Sequence, residues 1–366
     1  MAASTDISKV VRLEYGSDET YMALAEAARE GWLEWNARAI ADGEAPLYHE
    51  TGVLMVSRRP MAPGGFEHDS YHALLRRGHR PTRVDARAVA SRFPAWRRAG
   101  IVDGFHHEKG GYAESGRAIE CLVGWVRAHG VEVRENVRLV GWLGGDVVGS
   151  SAPGPVRGAR IESESASETC EADAVVLATG AWTGASLPAL VRAIRPSGHP
   201  VFHLVPREPA LFAPERFPVF TADIARTGYY GFPMGRAGVV KIGNHGVGTE
   251  IPASADRHVS PDATHRLREF LIRTFPDLSD AEVVYTRLCL YADTQDEDLW
   301  IAADPERPGL VVAGGGSGHG FKFAPVLGAL TADAVEGVQN AALARFAWRP
   351  DLRLDRGNEA ARCHDD

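Results

Sequence analysis

Residues 310–323 read Leu-Val-Val-Ala-Gly-Gly-Gly-Ser-Gly-His-Gly-Phe-Lys-Phe. Four consecutive apolar residues fit a strand covered on both faces. Val326, Leu327, Leu330, Ala334 and Val338 then recur at helical spacing. Between strand and helix lie Gly314, Gly315, Gly316, Gly318 and Gly320. Without side chains such a loop lets a ligand reach the backbone, and the helix start adds N–H donors and partial positive charge. Lys322 adds a full charge. The pattern demands an α/β unit and offers a seat for an anion or an electron-rich ring edge. It is not a Walker loop, because Phe321 rather than Lys follows Gly320, and no GxGxxG follows a strand anywhere in the chain. A tight turn carrying a solvated lysine is the bland alternative.

The rest of the chain alternates in character. A capping Ser17 or Asp18 precedes a helix with Tyr21, Leu24, Ala28, Trp32, Trp35 and Ala39 on one face, stopped by Gly43. Residues 52–56 read as a strand, and 60–82 as an exposed excursion rich in Pro, Gly, His and Arg. Ala118, Ile119, Leu122, Val123 and Val126 predict a second amphipathic helix, with a short strand at 131–133 after it. Residues 143–170 suit a surface hairpin, and 174–178 a strand buried on both faces. From about Pro196 short apolar runs between turn residues predict an antiparallel sheet, interrupted by a helix near 262–275. The α/β pieces flank the β-rich ones, so two lobes are expected to interleave.

Composition narrows the function. The net charge of −8 provides no basic field for nucleic acid or anionic lipid. No apolar run approaches the roughly 18–20 residues of a bilayer span. The opening residues lack a signal peptide's charged and apolar regions, and four scattered cysteines form no CxxC, so a reducing cytoplasm is expected. No metal site is expected either. His199 and His203 stand four apart, but Pro200 breaks the helix that such a pair would need. Of 40 basic residues only Lys9, Lys109, Lys241 and Lys322 are lysines. Coding bias explains the ratio, yet a remaining Lys can mark a place where a compact ammonium is required.

Three of those lysines fall in candidate motifs. Asp6-Ile-Ser-Lys-Val-Val-Arg12 puts two cations three apart, able to clamp a carboxylate from one helical face, or simply to solvate a turn. In Val239-Val-Lys-Ile242, Lys241 alternates with apolar neighbours and points to the opposite face, either into a pocket or into solvent. Tyr229-Tyr-Gly-Phe-Pro233 precedes it. Cys289, in Leu288-Cys-Leu-Tyr291, is a core residue or an attachment point. Val175-Val-Leu-Ala-Thr-Gly-Ala-Trp182 ends a strand as dinucleotide sites do, and also as ordinary strands do.

Taken in order, Lys-Val-Val-Arg, Tyr-Tyr-Gly-Phe-Pro, Lys-Ile-Gly-Asn-His, Cys-Leu-Tyr and Gly-Ser-Gly-His-Gly-Phe-Lys-Phe resemble the flavin-dependent amine oxidases of the D-amino-acid oxidase superfamily. The branch is that of monomeric sarcosine, pipecolate and fructosyl-amino-acid oxidases, and the likeness spans Ser4 to about Arg349. It implies an α/β fold: a Rossmann-like FAD domain over 1–45, 100–195 and 286–349, an antiparallel α+β substrate lobe over 46–99 and 196–285, and a tail over 350–366. It implies FAD attached through the sulfur of Cys289, with Ser4, Lys9, Val137, Thr179, Gly180, Trp182, Gly316, Gly318, Gly320 and Lys322 around the cofactor. Lys241 is implied to promote reaction with oxygen. Arg12 and Lys322 would bind the substrate carboxylate, and Tyr230, Tyr291 and His319 would line the pocket. Lys9 stands where sarcosine oxidases carry Arg, which moves the expected substrate towards a bulkier secondary amine.

The implied reaction oxidises the C–N bond of an N-alkyl, cyclic or glycated amino acid, reduces oxygen to hydrogen peroxide, and is carried out by a monomer. The family opens with a strand, GxGxxG and helix, a unit of roughly 30 residues. This chain starts after it, so an N-terminally truncated FAD domain, and a longer natural protein, are expected. A flavin-free remnant that binds small acids, and a flavin dehydrogenase with another electron acceptor, are the alternative functions.

Overall fold

The computed structural model describes residues 3–97, 100–144, 153–355 and 357–363. Its largest sheet has nine strands. From one end run Thr249–Glu250, Ile194–Val205, Val240–Asn244, Tyr229–Phe232, Val219–Ala222, Val53–Ser57, Asp103–His107 and Thr82–Asp85. Glu282–Thr294 pairs along the free edge of Ile194–Val205. All pairings are antiparallel except Val219–Ala222 against Val53–Ser57. Alternation decides which core each residue joins. Leu54 and Val56 face an aromatic cluster of Trp96, Phe202, Phe217, Phe220 and Phe275, whereas Val53 and Met55 face Tyr15, Tyr21, Phe105 and Phe323. Helix Pro261–Thr274 closes the first cluster with Leu267, Phe270 and Leu271, as its spacing predicts.

Helix Glu19–Ala41 lies over the second cluster. Asp18 caps it by accepting from the Tyr21 N–H at 3.0 Å. Its Trp32 is buried and donates Nε1–H to the Lys322 carbonyl at 2.7 Å, which ties the helix to the glycine loop. Leu24 and Trp35 are only partly buried, and Met22 and Ala25 fill the face instead.

A separate sheet holds the motif that opened the sequence analysis. Val175–Leu177 runs parallel to Leu310–Gly314, which pairs antiparallel with Trp300–Ala303 on its other side. Helix Ala324–Glu336 follows the glycine loop. The α/β fold is present, with several expectations corrected. Val175–Leu177 is not buried on both faces: Val176 is 41% exposed, because among the described residues the strand has one neighbour and an open side. Residues 131–133 form no strand. Helix Ser115–Ala128 buries Ser115 and Ala118 but leaves Ile119 and Val126 each 37% exposed. On helix Ala324–Glu336 Leu330 is buried and Val326, Leu327 and Ala334 pack half-buried against the same core, as their spacing predicts, whereas Val338 lies beyond the left-handed Gly337 that ends the helix. The excursion at 60–82 contains helix Phe66–Arg76, which buries Phe66, Ala73 and Leu74. Its cap Gly65, with Pro60, Pro63 and Gly64 before it, masked a helical spacing that was present. Strands Gly158–Glu162 and Ser167–Glu171 form the expected surface hairpin, and residues 145–152 of the same stretch lie outside the described residues.

Candidate active site

Lys9 and Arg12 do not share a helix. Lys9–Val11 is a strand paired antiparallel with Gly111–Ala113. A Cβ on Gly111 would sit 2.0 Å from the His49 carbonyl oxygen, so this close three-strand crossing admits glycine alone there. The strand delivers both cations to one small cavity of about 60 Å³, lined also by Tyr230, Tyr291, His319 and Lys322. The glycine loop forms its opposite wall. Gly318 has φ +79°, and a Cβ there would lie 2.0 Å from the Tyr291 ring. The missing side chain at 318 therefore makes room for Tyr291, and the one at Gly315 for Thr294 and Trp300. Gly316 and Gly320 approach each other.

Hydrogen-bond roles in this wall are fixed by elimination. His319 Nε2 lies 2.9 Å from the Glu297 carbonyl, which can only accept, so Nε2 carries the proton. Nδ1 is then the acceptor for Tyr15 O–H at 3.0 Å, and Tyr15 oxygen accepts from Lys322 Nζ at 2.7 Å. Burial pushes the His319 pKa down to about 4, consistent with this neutral tautomer. Burial, with Arg12 nearby, holds Lys322 well below the ordinary lysine range.

One residue that carried no signal in the sequence completes the cavity. Glu359 accepts from Arg12 Nη2 at 3.1 Å and contacts His245 Nε2 at 2.7 Å. It belongs to the stretch expected to be a tail, where a single Glu among Arg, Asp and Ala offers nothing to mark it.

Lys241, on Val240–Asn244, is 1% exposed. Its Nζ lies 2.6 Å from Asp6 Oδ2, donates to the Ser8 carbonyl, and sits 4.5 Å from the centroid of Phe232. Burial pushes its pKa down to about 8, with Asp6 pulling the other way. Burial would raise the Asp6 carboxyl, but Lys241, His203 and Lys9 outweigh it and hold the group ionised. Lys241 and Asp6 border a second, larger cavity of about 800 Å³ with Ser4, Tyr112 and Arg287, and Phe232 walls both cavities.

Cys289 is buried on Glu282–Thr294 opposite His199, and Lys9 Nζ donates to its sulfur at 3.2 Å. Lys9, 3.8 Å from Asp6, thus links the sulfur to the Lys241 pair. Thr179, Gly180 and Trp182 form the turn after Val175–Leu177 and line neither cavity, nor does the exposed Val137. The described residues contain no cluster able to hold a metal, and no helix is long and apolar enough to cross a membrane.

The residues fit a flavin. The larger cavity falls within the size range of cofactor pockets, roughly 300–1,000 Å³. The buried Ser8 hydroxyl on its wall has no hydrogen-bond partner, and neither does Arg12 Nη1 beside the smaller cavity.

Known proteins share this architecture. The fructosamine oxidase of Aspergillus fumigatus called Amadoriase II superposes with a TM-score of 0.78 at 24% identity, covering 99% of this chain and 84% of that one. N-methyl-L-tryptophan oxidase of Salmonella arizonae is 28% identical over 332 residues, 89% of this chain and 82% of the relative. Monomeric sarcosine oxidase of a Bacillus species is 25% identical over 326 residues, 88% of this chain and 79% of the relative. The sequence model of the FAD dependent oxidoreductase family, DAO, matches residues 1–334, and the chain belongs to that family.

Proposed function

We propose that this protein oxidises the C–N bond of a secondary-amine amino acid to an imine, which water then hydrolyses. The observation that carries the reading is the convergence of Arg12 and Lys322 on one aromatic cavity, with the buried Lys241 behind the shared Phe232 wall. Relatives named for N-methyl-L-tryptophan and sarcosine support a secondary amine.

Arg12 and Lys322 would grip the substrate carboxylate and so orient the carbon beside the nitrogen. Tyr230 and Tyr291 would flank that carbon and exclude water. Ser4, Lys9, the loop 314–320 and Cys289 would hold FAD, the last through a covalent bond to sulfur; Val137, Thr179, Gly180 and Trp182 would take its outer parts. Bound FAD supplies a hydride acceptor and then a donor of electrons to oxygen, giving hydrogen peroxide. The Lys241 ammonium would stabilise the negative charge that oxygen acquires.

Two measurements test this. Protein loaded with FAD is precipitated with acid, and flavin retained in the pellet, but lost from a Cys289→Ala variant, supports the covalent role. Flavin left wholly in the supernatant removes it. Peroxide formation is then followed across N-alkyl, cyclic and glycated amino acids; no substrate-dependent peroxide from any of them overturns the reading.

A further inference from the structure

The proposed grip for an incoming carboxylate already holds one from the protein. Glu359 is 7% exposed, borders the same cavity as Arg12 and Lys322, and shares its two oxygens between Arg12 and His245. The segment that carries it is anchored. Arg362, three residues on, pairs with Asp293 at 2.7 Å and Glu297 at 3.2 Å, and donates to the carbonyls of Gly246 and Val247. The Glu359 N–H bonds a Glu297 carboxylate oxygen at 2.9 Å, the Cys363 N–H bonds the His245 carbonyl at 3.0 Å, and Ala361 is part of the core. Glu359 is therefore a cavity-lining residue held by an anchored segment, 358–363.

Charge arithmetic follows from that placement. Burial would raise the Glu359 carboxyl, but His245 and Arg12, whose guanidinium lies 3.1 Å away, outweigh it, so the group is an anion. The Arg12 guanidinium is thus matched before any ligand arrives. A bare carboxylate entering a 60 Å³ space meets a like charge at close range. Arg12 nevertheless keeps Nη1 buried and without a partner, and Lys322 stands on the same wall. A carboxylate has about four acceptor positions, so Glu359 can take a further donor beyond Arg12 and His245. The open features of the cavity are one guanidinium nitrogen, one carboxylate edge, and the one ammonium hydrogen that Lys322 has left beyond its bonds to the Tyr15 oxygen and the His319 carbonyl.

We propose that Glu359 is a specificity-determining residue: the site admits its acid as a zwitterion, with the ligand's carboxylate on Arg12 Nη1 and Lys322 and its protonated secondary amine on Glu359, and it rejects acids that bring no cation. This rests on the reading of Arg12 and Lys322 as the carboxylate grip.

The test uses propionate and N-methylalanine, one carbon skeleton without and with the amine, titrated into the full chain by calorimetry. Glu359→Gln is isosteric: its amide oxygen can still accept from Arg12, and its NH₂ can donate to His245 Nε2 once that ring's proton sits on Nδ1, so the negative charge is the main loss. The wild-type chain should prefer N-methylalanine by about tenfold or more, the scale of one charge-assisted hydrogen bond. E359Q should bind propionate more tightly and N-methylalanine more weakly, closing that gap. If E359Q shifts both ligands in the same direction, or leaves their ratio unchanged, the proposal is overturned. Should that variant not fold, the wild-type ratio alone decides, because propionate binding as tightly as N-methylalanine refutes it. Arg12→Gln separates the two readings. Loss of both ligands in R12Q, with no change of ratio in E359Q, refutes the role of Glu359 alone. Unaltered binding of both in R12Q, or no binding by the wild type, refutes the carboxylate grip as well.

Discussion

At the scale of single residues, the buried ammonium of Lys241 sets the sharpest expectation. It is charged below about pH 8 and loses its proton as pH rises through that value. An unfolded lysine keeps its proton to about 10.4. Between those limits the unfolded chain binds more protons, so stability rises with pH from about 8 to 10. With only four lysines in the chain, side-chain ¹⁵N NMR resolves the titration directly, and a midpoint above 10 for Lys241 contradicts the burial argument. Asp6→Asn, which removes the counter-charge 2.6 Å away, should move that midpoint below the wild-type value. Lys241→Met in the FAD-loaded enzyme should keep anaerobic flavin reduction by substrate and lose most of its reaction with oxygen; equal oxygen rates in both proteins remove the assignment. The buried histidines act in the same sense at lower pH. His106 and His319 titrate at about 4 because they are buried, below the 6.5 of a free imidazole. Their contribution to stability is complete above the unfolded value and falls as pH drops from about 6.5 to 4, which denaturant melts across that range will measure.

At the scale of elements, the helix Glu19–Ala41 and the glycine loop stand or fall together. Trp32→Ala empties a buried indole site and breaks the bond to Lys322 O, and should cost about 3–5 kcal/mol in urea unfolding. Trp32→Phe should cost clearly less, since the ring volume largely remains. Gly318→Ala puts a methyl into the Tyr291 ring at a left-handed backbone position, and should displace that ring, visible as lost substrate affinity. These elements were legible beforehand for a reason. Asp18 caps a repeat of Tyr21, Ala28 and Trp32 that runs over about three turns, and a buried run before five glycines admits few structures. Helix Phe66–Arg76 was not legible, because local turn residues outweighed Phe66, Ala73 and Leu74. Lys241 could be assigned to a strand but not to the inside, since alternation leaves the choice of face to tertiary packing.

At the scale of the whole molecule, the cavity walls come from segments far apart in sequence. Arg12 meets Glu359 across 347 residues, and Lys9 meets Cys289 across 280. No local pattern encodes such pairs, so the motifs announced the chemistry of each wall without showing that Glu359 and Asp6 would supply its counter-charges. The same limit explains the misjudged faces. Val176, Ile119 and Val126 have strand or helix spacing, yet spacing says that a face is apolar and not what covers it.

The single ring of Phe232 stands between the two hollows and also carries the Lys241 ammonium against its π-cloud. Partition and electrostatics are thereby welded into one side chain. A mutation that merges the chambers to admit a larger fuel would also strip the cation of its aromatic bed, so under the proposed function tolerance for bulk and speed with oxygen would be coupled traits.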